Sequence, residues 1–135
     1  MTPTFLHTAP QRVVIVNPTG RYASAQVAAM RAAGTTIVAG IAPGRGGTSQ
    51  DGLPLLDDLS QLDAAPDAAV LYTPPDGVLD AVRDCCAARI PLIVAAAEYV
   101  PVHDSLKAAT IAREAGCWLV GPNTLGLAVP GQVLL

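Results

Sequence analysis

Three observations predict an α/β fold, a doubly wound, five-stranded parallel sheet in a single domain. First, five short apolar runs recur along the chain, at Arg12–Val16, Thr36–Ala39, Ala68–Tyr72, Pro91–Ala95 and Cys117–Val120. They have the length of buried strands and are too short for helices. Second, segments with apolar residues at helical spacing separate most of these runs. Third, 51% of residues are apolar and only 14% charged, so the strands must be covered on both faces. At 135 residues the chain fits one domain, burying roughly two thirds of its unfolded surface. Residues 1–11 are expected to be an N-terminal tail and 12–135 the domain.

The first run, V-V-I-V, ends in Asn17-Pro18-Thr19-Gly20 and is followed at once by an alanine-rich helix over Tyr22–Ala33. Val27 and Met30 face inward, and Gly34 stops the helix. A buried strand handing over to a helix N-terminus is a ready anion site. The second strand, Thr36–Ala39, ends at Gly40. Ile41–Gly52 contains A-P-G-R-G-G-T-S-Q; its glycine density predicts irregular backbone with many exposed N–H groups. Leu53–Leu62 supplies a short extended piece and a helical turn, with Asp57 and Asp58 at the turn's start, where carboxylates suit the dipole.

The third strand, Ala68–Tyr72, is closed by Thr73-Pro74-Pro75. Asp76 is expected to cap the next helix, which turns Val78, Val82 and Cys85 inward. After the fourth strand, Asp104 is expected to cap a helix lined by Leu106, Ala109 and Ala112 and stopped by Gly116. The fifth strand runs into G-P-N-T-L-G, and the closing G-Q-V-L-L looks more like a truncated strand than a solvated tail. Right-handed crossovers make such an arrangement Rossmann-like, with ligands beyond the C-terminal strand ends. Asn17–Tyr22, Ile41–Gln50, Thr73–Asp76 and Ala96–Pro101 gather there.

Charge and composition exclude several classes. Residues 1–50 hold four arginines and no acid, whereas 51–135 hold all 11 acids against four basic residues, giving +4 and −7. A net charge of −3 is too acidic for a nucleic-acid binder; the basic first part suits a small anion. Met1–Gln11 lacks the basic start and apolar core of a secretory signal, and no run reaches the ~20 residues of a bilayer span. The expected location is cytoplasmic. Cys85, Cys86 and Cys117 lack C-x-x-C spacing and read as buried thiols, with no metal site.

The residues also narrow the cofactor. The first turn has one glycine, Gly20, where a dinucleotide fingerprint needs G-x-G-x-x-G, and no acid precedes Asp51 to hold a ribose 2′-hydroxyl. Arg45 in its glycine-rich loop suits a ribose phosphate instead. NADP and coenzyme A both carry one.

An ordered set of motifs then carries a resemblance: P-T-G at 18–20, A-P-G-R-G-G-T at 42–48, G-L-P at 52–54, Y-T-P-P at 72–75, I-P-L-I-V with Glu98 following, and G-P-N at 121–123. From about Arg12 onward the chain resembles the N-terminal CoA-binding domain of the succinyl-CoA synthetase α subunit and related nucleotide-diphosphate-forming acyl-CoA synthetases. The resemblance implies CoA contacts from Thr19, Gly20, Arg21 and Tyr22 in the first turn, Arg45 in the second loop, and Ala96, Ala97 and Glu98 after the fourth strand. Pro74 and Pro75 match a proline loop near the same cleft. The chain departs from the family's pattern at Asn17, Arg21, Tyr22, Ala97, Tyr99 and Thr124.

The resemblance further implies a ligase whose phosphohistidine domain and ATP-grasp, β-type partner are absent from this sequence. His7 lies in the expected tail, and His103 at a helix start matches no catalytic position; Glu98 is expected to orient a loop. No catalytic residue is assigned, and the domain alone is not expected to perform ligation. Two other readings stay open at this level: a stand-alone, non-catalytic CoA-binding or regulatory module, and an NADP-binding domain of an oxidoreductase. A homo-oligomer also stays open.

Overall fold

The computed structural model describes residues 8–135. Val13–Val16 forms β1 and Arg21–Ala32 helix α1; β2 spans Ile37–Ile41. Ser49–Gln50 (β3) and Leu53–Leu56 (β4) follow, then β5 at Ala68–Leu71, α2 at Val78–Ala87 and β6 at Leu92–Ala95. Helix α3 covers Val102–Ala115, β7 Trp118–Val120, β8 Ala128–Val129 and β9 Val133–Leu134. One sheet has the order β3-β4-β2-β1-β5-β6-β7, and β8 pairs with β9 apart from it. Every pairing from β4 to β7 is parallel; only β3 runs antiparallel, against β4.

The five expected strands are thus the frame of a seven-stranded sheet. The two additions arise in and after the glycine-rich stretch. Ser49 pairs with Pro54 and Gln50 with Leu53, making a hairpin across Asp51-Gly52, both at positive φ. Pro54 sits near the sheet edge, where a missing N–H is tolerated. The expectation that this whole stretch is irregular is corrected.

Alternation along the strands divides the core. Val13, Ile15, Val70, Leu92 and Val94 face α1, whose Ala23, Val27 and Met30 are buried, together with Val133 and Leu135. Val14, Ala69, Leu71 and Ile93 face α2 and α3 on the other side. Burial of each such aliphatic side chain contributes about 1.5–3 kcal/mol. Cys85 and Cys86 belong to this second layer, and burial pushes both thiols up to about 12. Buried Thr35 fastens the β8–β9 hairpin: its hydroxyl donates to the Leu134 carbonyl at 2.7 Å and accepts from the Leu134 N–H at 3.0 Å. The closing segment is therefore a paired strand.

The helix starts differ from expectation. Gly77 precedes α2 and Pro101 precedes α3, and neither has a side-chain cap. Asp76 lies in a 3-10 turn over Pro75–Gly77, and Asp104 lies in the first turn of α3; both favour the dipole without capping. Asp58 does cap: its Oδ1 accepts from the Ser60 N–H at 2.8 Å at the start of a 3-10 turn over Leu59–Gln61. The buried face of α3 consists of Ala108 and Ala112, while Leu106 is 65% exposed. Small residues let α3 approach α2 closely, so the face is shifted from the one lined by Leu106 and Ala109. No helix among the described residues is long and apolar enough to cross a membrane.

Candidate functional site

The site lies beyond the C-terminal ends of β1, β5 and β6, where the strand order reverses between β1 and β5. Its first wall is the turn after β1. Asn17 takes φ +61°, the left-handed conformation that glycine supplies in a fingerprint turn. Its N–H donates to the Ile41 carbonyl at 2.8 Å and its Nδ2 to the Tyr72 carbonyl at 3.1 Å, tying β1 to both neighbours. Gly20 is the N-cap of α1, with no side-chain cap and no acid in the first turn. Arg21 instead puts a cation at the positive end of the helix, an unfavourable placement unless an anion sits there.

The second wall is Pro43–Thr48, and it is anchored from inside. Asp57 Oδ1 accepts from the N–H groups of Gly44 at 2.8 Å and Gly46 at 3.0 Å. The expectation of many free N–H groups is corrected for these two. Arg45 stands between them, exposed, with no hydrogen bond or ion pair from its guanidinium among the described residues. Gln50 then ties this wall to the first: its Nε2 donates to Ser24 Oγ at 2.8 Å and to the Pro18 carbonyl at 3.3 Å.

A cleft of about 410 Å³ opens beside the first wall, lined by Asn17, Gly20, Tyr22, Ala23, Tyr72, Thr73, Ala96, Ala97, Glu98 and Asn123–Leu125. Tyr22 and Tyr72 meet edge to face with ring centroids 5.9 Å apart. Burial, with Tyr22 as a smaller cause, pushes the Tyr72 phenol up to about 12. Thr73 Oγ1 is buried without a hydrogen-bond partner among the described residues, an omission that costs about 1–3 kcal/mol unless a ligand supplies one. Thr73 also borders a larger groove of about 990 Å³ that continues past Asn17, Pro43 and Pro74 along α2.

Of the residues expected to bind, Gly20, Tyr22, Ala96, Ala97 and Glu98 line the cleft, and Pro74 lines the groove. Thr19, Arg21 and Arg45 line neither, although Thr19 and Arg21 adjoin lining residues. Asn17 and Thr73, from segments expected to gather at the strand ends, join the cleft together with Ala23, Tyr72 and Asn123–Leu125, though none of these was expected to bind. The G-P-N and Y-T-P-P motifs were the available signals for most of these. Asn123 is held there by its N–H, which donates to the Ala97 carbonyl at 2.8 Å. His103 is exposed beside Asp104, with Nδ1 3.4 Å from Oδ1, and His7 lies outside the described residues. No group of three or more metal-ligating side chains occurs among the described residues.

Residues 9–99, about two thirds of the chain, match the family described as CoA binding domain. The chain belongs to the CoA-binding domain family. Its cofactor is coenzyme A. The domain is 38% identical over 126 residues to the succinate–CoA ligase [ADP-forming] subunit alpha 2 of Archaeoglobus fulgidus, across 92% of this chain and 44% of that protein. It is 32% identical to an ADP-forming sulfoacetate-CoA ligase subunit of Bilophila wadsworthia, across 97% of this chain and 45% of that one. The chain thus spans less than half the length of these relatives. Among solved structures, the dinucleotide-forming acetyl-coenzyme A synthetase 1 of Ca. Korarchaeum cryptofilum, in complex with phosphate and ADP, superposes with a TM-score of 0.82 at 22% identity, across 98% of this chain and 30% of that one. This likeness shows the fold.

Proposed function

We propose that the domain serves an ADP-forming acyl-CoA ligase of the succinyl-CoA synthetase α type, holding CoA across the strand ends. The observation that carries this reading is the conjunction of family membership with a strand-end cleft that holds the unpartnered Thr73 hydroxyl and borders the uncapped N-terminus of α1. Thr19, Gly20, Arg21 and Tyr22 would meet the diphosphate at the α1 N-terminus, and Arg45 the phosphate on the ribose. Ala96, Ala97 and Glu98 would flank the arm that ends in the thiol, with Pro74 beside the adenosine end. The orphaned Thr73 hydroxyl offers a further donor inside the hollow.

CoA supplies the thiol nucleophile; these residues bind and orient it. In this reading the acyl group is activated elsewhere, by a phosphohistidine domain and an ATP-grasp partner, since no histidine lines the cleft. The free cysteines fit a reducing cytoplasm. Isothermal titration calorimetry tests the binding claim with CoA and NADPH as competing ligands. One saturable CoA site that NADPH does not displace is expected, and Arg45→Ala should weaken it about tenfold. A folded protein that ignores CoA would overturn the reading.

A further inference from the structure

We propose that Asp57 is the positioning residue of the Pro43–Thr48 loop. Its carboxylate fills the hollow formed by the loop's N–H groups, so that the loop meets a ligand phosphate through the Arg45 side chain alone. The proposal rests on the CoA reading above.

The loop's backbone donors are spent internally. Gly44 and Gly46, the two neighbours of Arg45, both donate to Asp57 Oδ1, at 2.8 and 3.0 Å. The Arg45 N–H donates to the Ala42 carbonyl at 3.0 Å, Gly47 to Leu55 at 3.1 Å and Thr48 to Arg45 at 3.2 Å. Successive backbone N–H groups of this kind make an anion nest when they are free. Here a resident carboxylate has closed it. The fit leaves no slack, because a Cβ on Gly46 would lie 2.4 Å from Asp57 Oδ2. Asp57 is itself held by its own N–H, which donates to Gln61 Oε1 at 2.8 Å.

Charge and geometry make opposite forecasts for Asp57. A carboxylate near a phosphate site repels the ligand, so electrostatics alone predicts tighter CoA binding once the charge is removed. Positioning predicts weaker binding when the two acceptor contacts vanish, and retention when an amide oxygen replaces them.

Calorimetry on the full chain, with CoA and with 3′-dephospho-CoA, separates the two for Asp57→Ala and Asp57→Asn. Expected is an approximately tenfold loss of CoA affinity in Asp57→Ala. Dephospho-CoA affinity stays unchanged, since only the Arg45 contact is displaced. Asp57→Asn keeps the wild-type preference for CoA over dephospho-CoA. The proposal is overturned if both variants bind CoA more tightly, if both lose affinity alike, or if Asp57→Ala keeps the wild-type preference. Failure of the folded wild-type chain to bind CoA would instead strike the underlying reading, and this inference with it.

Discussion

Gly40 and Pro18 are packed so closely that only a hydrogen fits on the Gly40 Cα. A Cβ there would lie 2.6 Å from Pro18 Cγ and 2.9 Å from Leu55 Cδ2. The leucine end can swing away, but the proline ring belongs to the turn that starts the cleft. Gly40→Ala should therefore destabilise the fold by about 1–3 kcal/mol and weaken CoA binding through displacement of Pro18. Urea unfolding and calorimetry on the same preparation check both effects. Unchanged stability would mean that the turn yields freely.

Asn17 should tolerate glycine and reject branched residues. Asn17→Gly keeps the positive φ and loses the Nδ2 bond to the Tyr72 carbonyl, a cost of about 1 kcal/mol. Asn17→Val must hold a β-branched side chain at φ +61°, adding strain on the order of 1–3 kcal/mol. Equal destabilisation of the two variants in denaturant melts would refute the backbone argument.

Two aspartates near the first strand should behave differently. Asp67 Oδ2 accepts from the Gln11 N–H at 2.8 Å and the Arg12 N–H at 2.9 Å, so Asp67→Ala should cost about 1–3 kcal/mol. Asp63 pairs with the Arg12 side chain from an exposed position, and Asp63→Ala should stay within about 0.5 kcal/mol. The ranking can be read from denaturation midpoints; a larger effect at Asp63 would contradict it.

Alkaline pH should unfold the domain in a defined window. The Cys85 thiol ionises near 9.0 when free and is pushed up to about 12 by burial, with Cys86, Asp84 and Cys117 as smaller causes. Between those values the unfolded chain releases a proton that the folded one keeps. The contribution is therefore complete below pH 9 and is lost as pH rises toward 12. For Cys85 it is on the order of a few kcal/mol. Stability measured at a series of pH values should fall less steeply over this window in Cys85→Ala than in wild type. Parallel slopes would show that another group controls the alkaline transition.

The frame of this fold was legible because buried parallel strands announce themselves as apolar runs. Val13–Val16, Ala68–Leu71 and Leu92–Ala95 needed no tertiary information. Of the hairpin at Ser49–Leu56, the extended piece from Leu53 was legible but Ser49–Gln50 was not, because a two-residue strand carries no periodic signal and glycine density argues against it. The buried face of α3 was read correctly at Ala112 and misread at Leu106 and Ala109, for a different reason. Leucine is the better apolar residue in isolation, yet the close approach of α2 favours Ala108 and Ala112. Much of the cleft followed from motif order, Tyr72 and Thr73 through Y-T-P-P included, whereas Ala23 had no motif to mark it. The resident carboxylate at Asp57 was the least visible feature, because nothing local links it to a loop 11 and 13 residues earlier.

The Gln50 side chain has a consequence for ligand choice. By gripping Ser24 and the Pro18 carbonyl, it welds the β1 turn to the hairpin that follows the Arg45 loop. In the proposed reading, the backbone positions of Arg21 and Arg45 would then be graduations on one ruler. A ligand would be measured by the span between its phosphates as much as by its charge, and one with the wrong span would satisfy only one end.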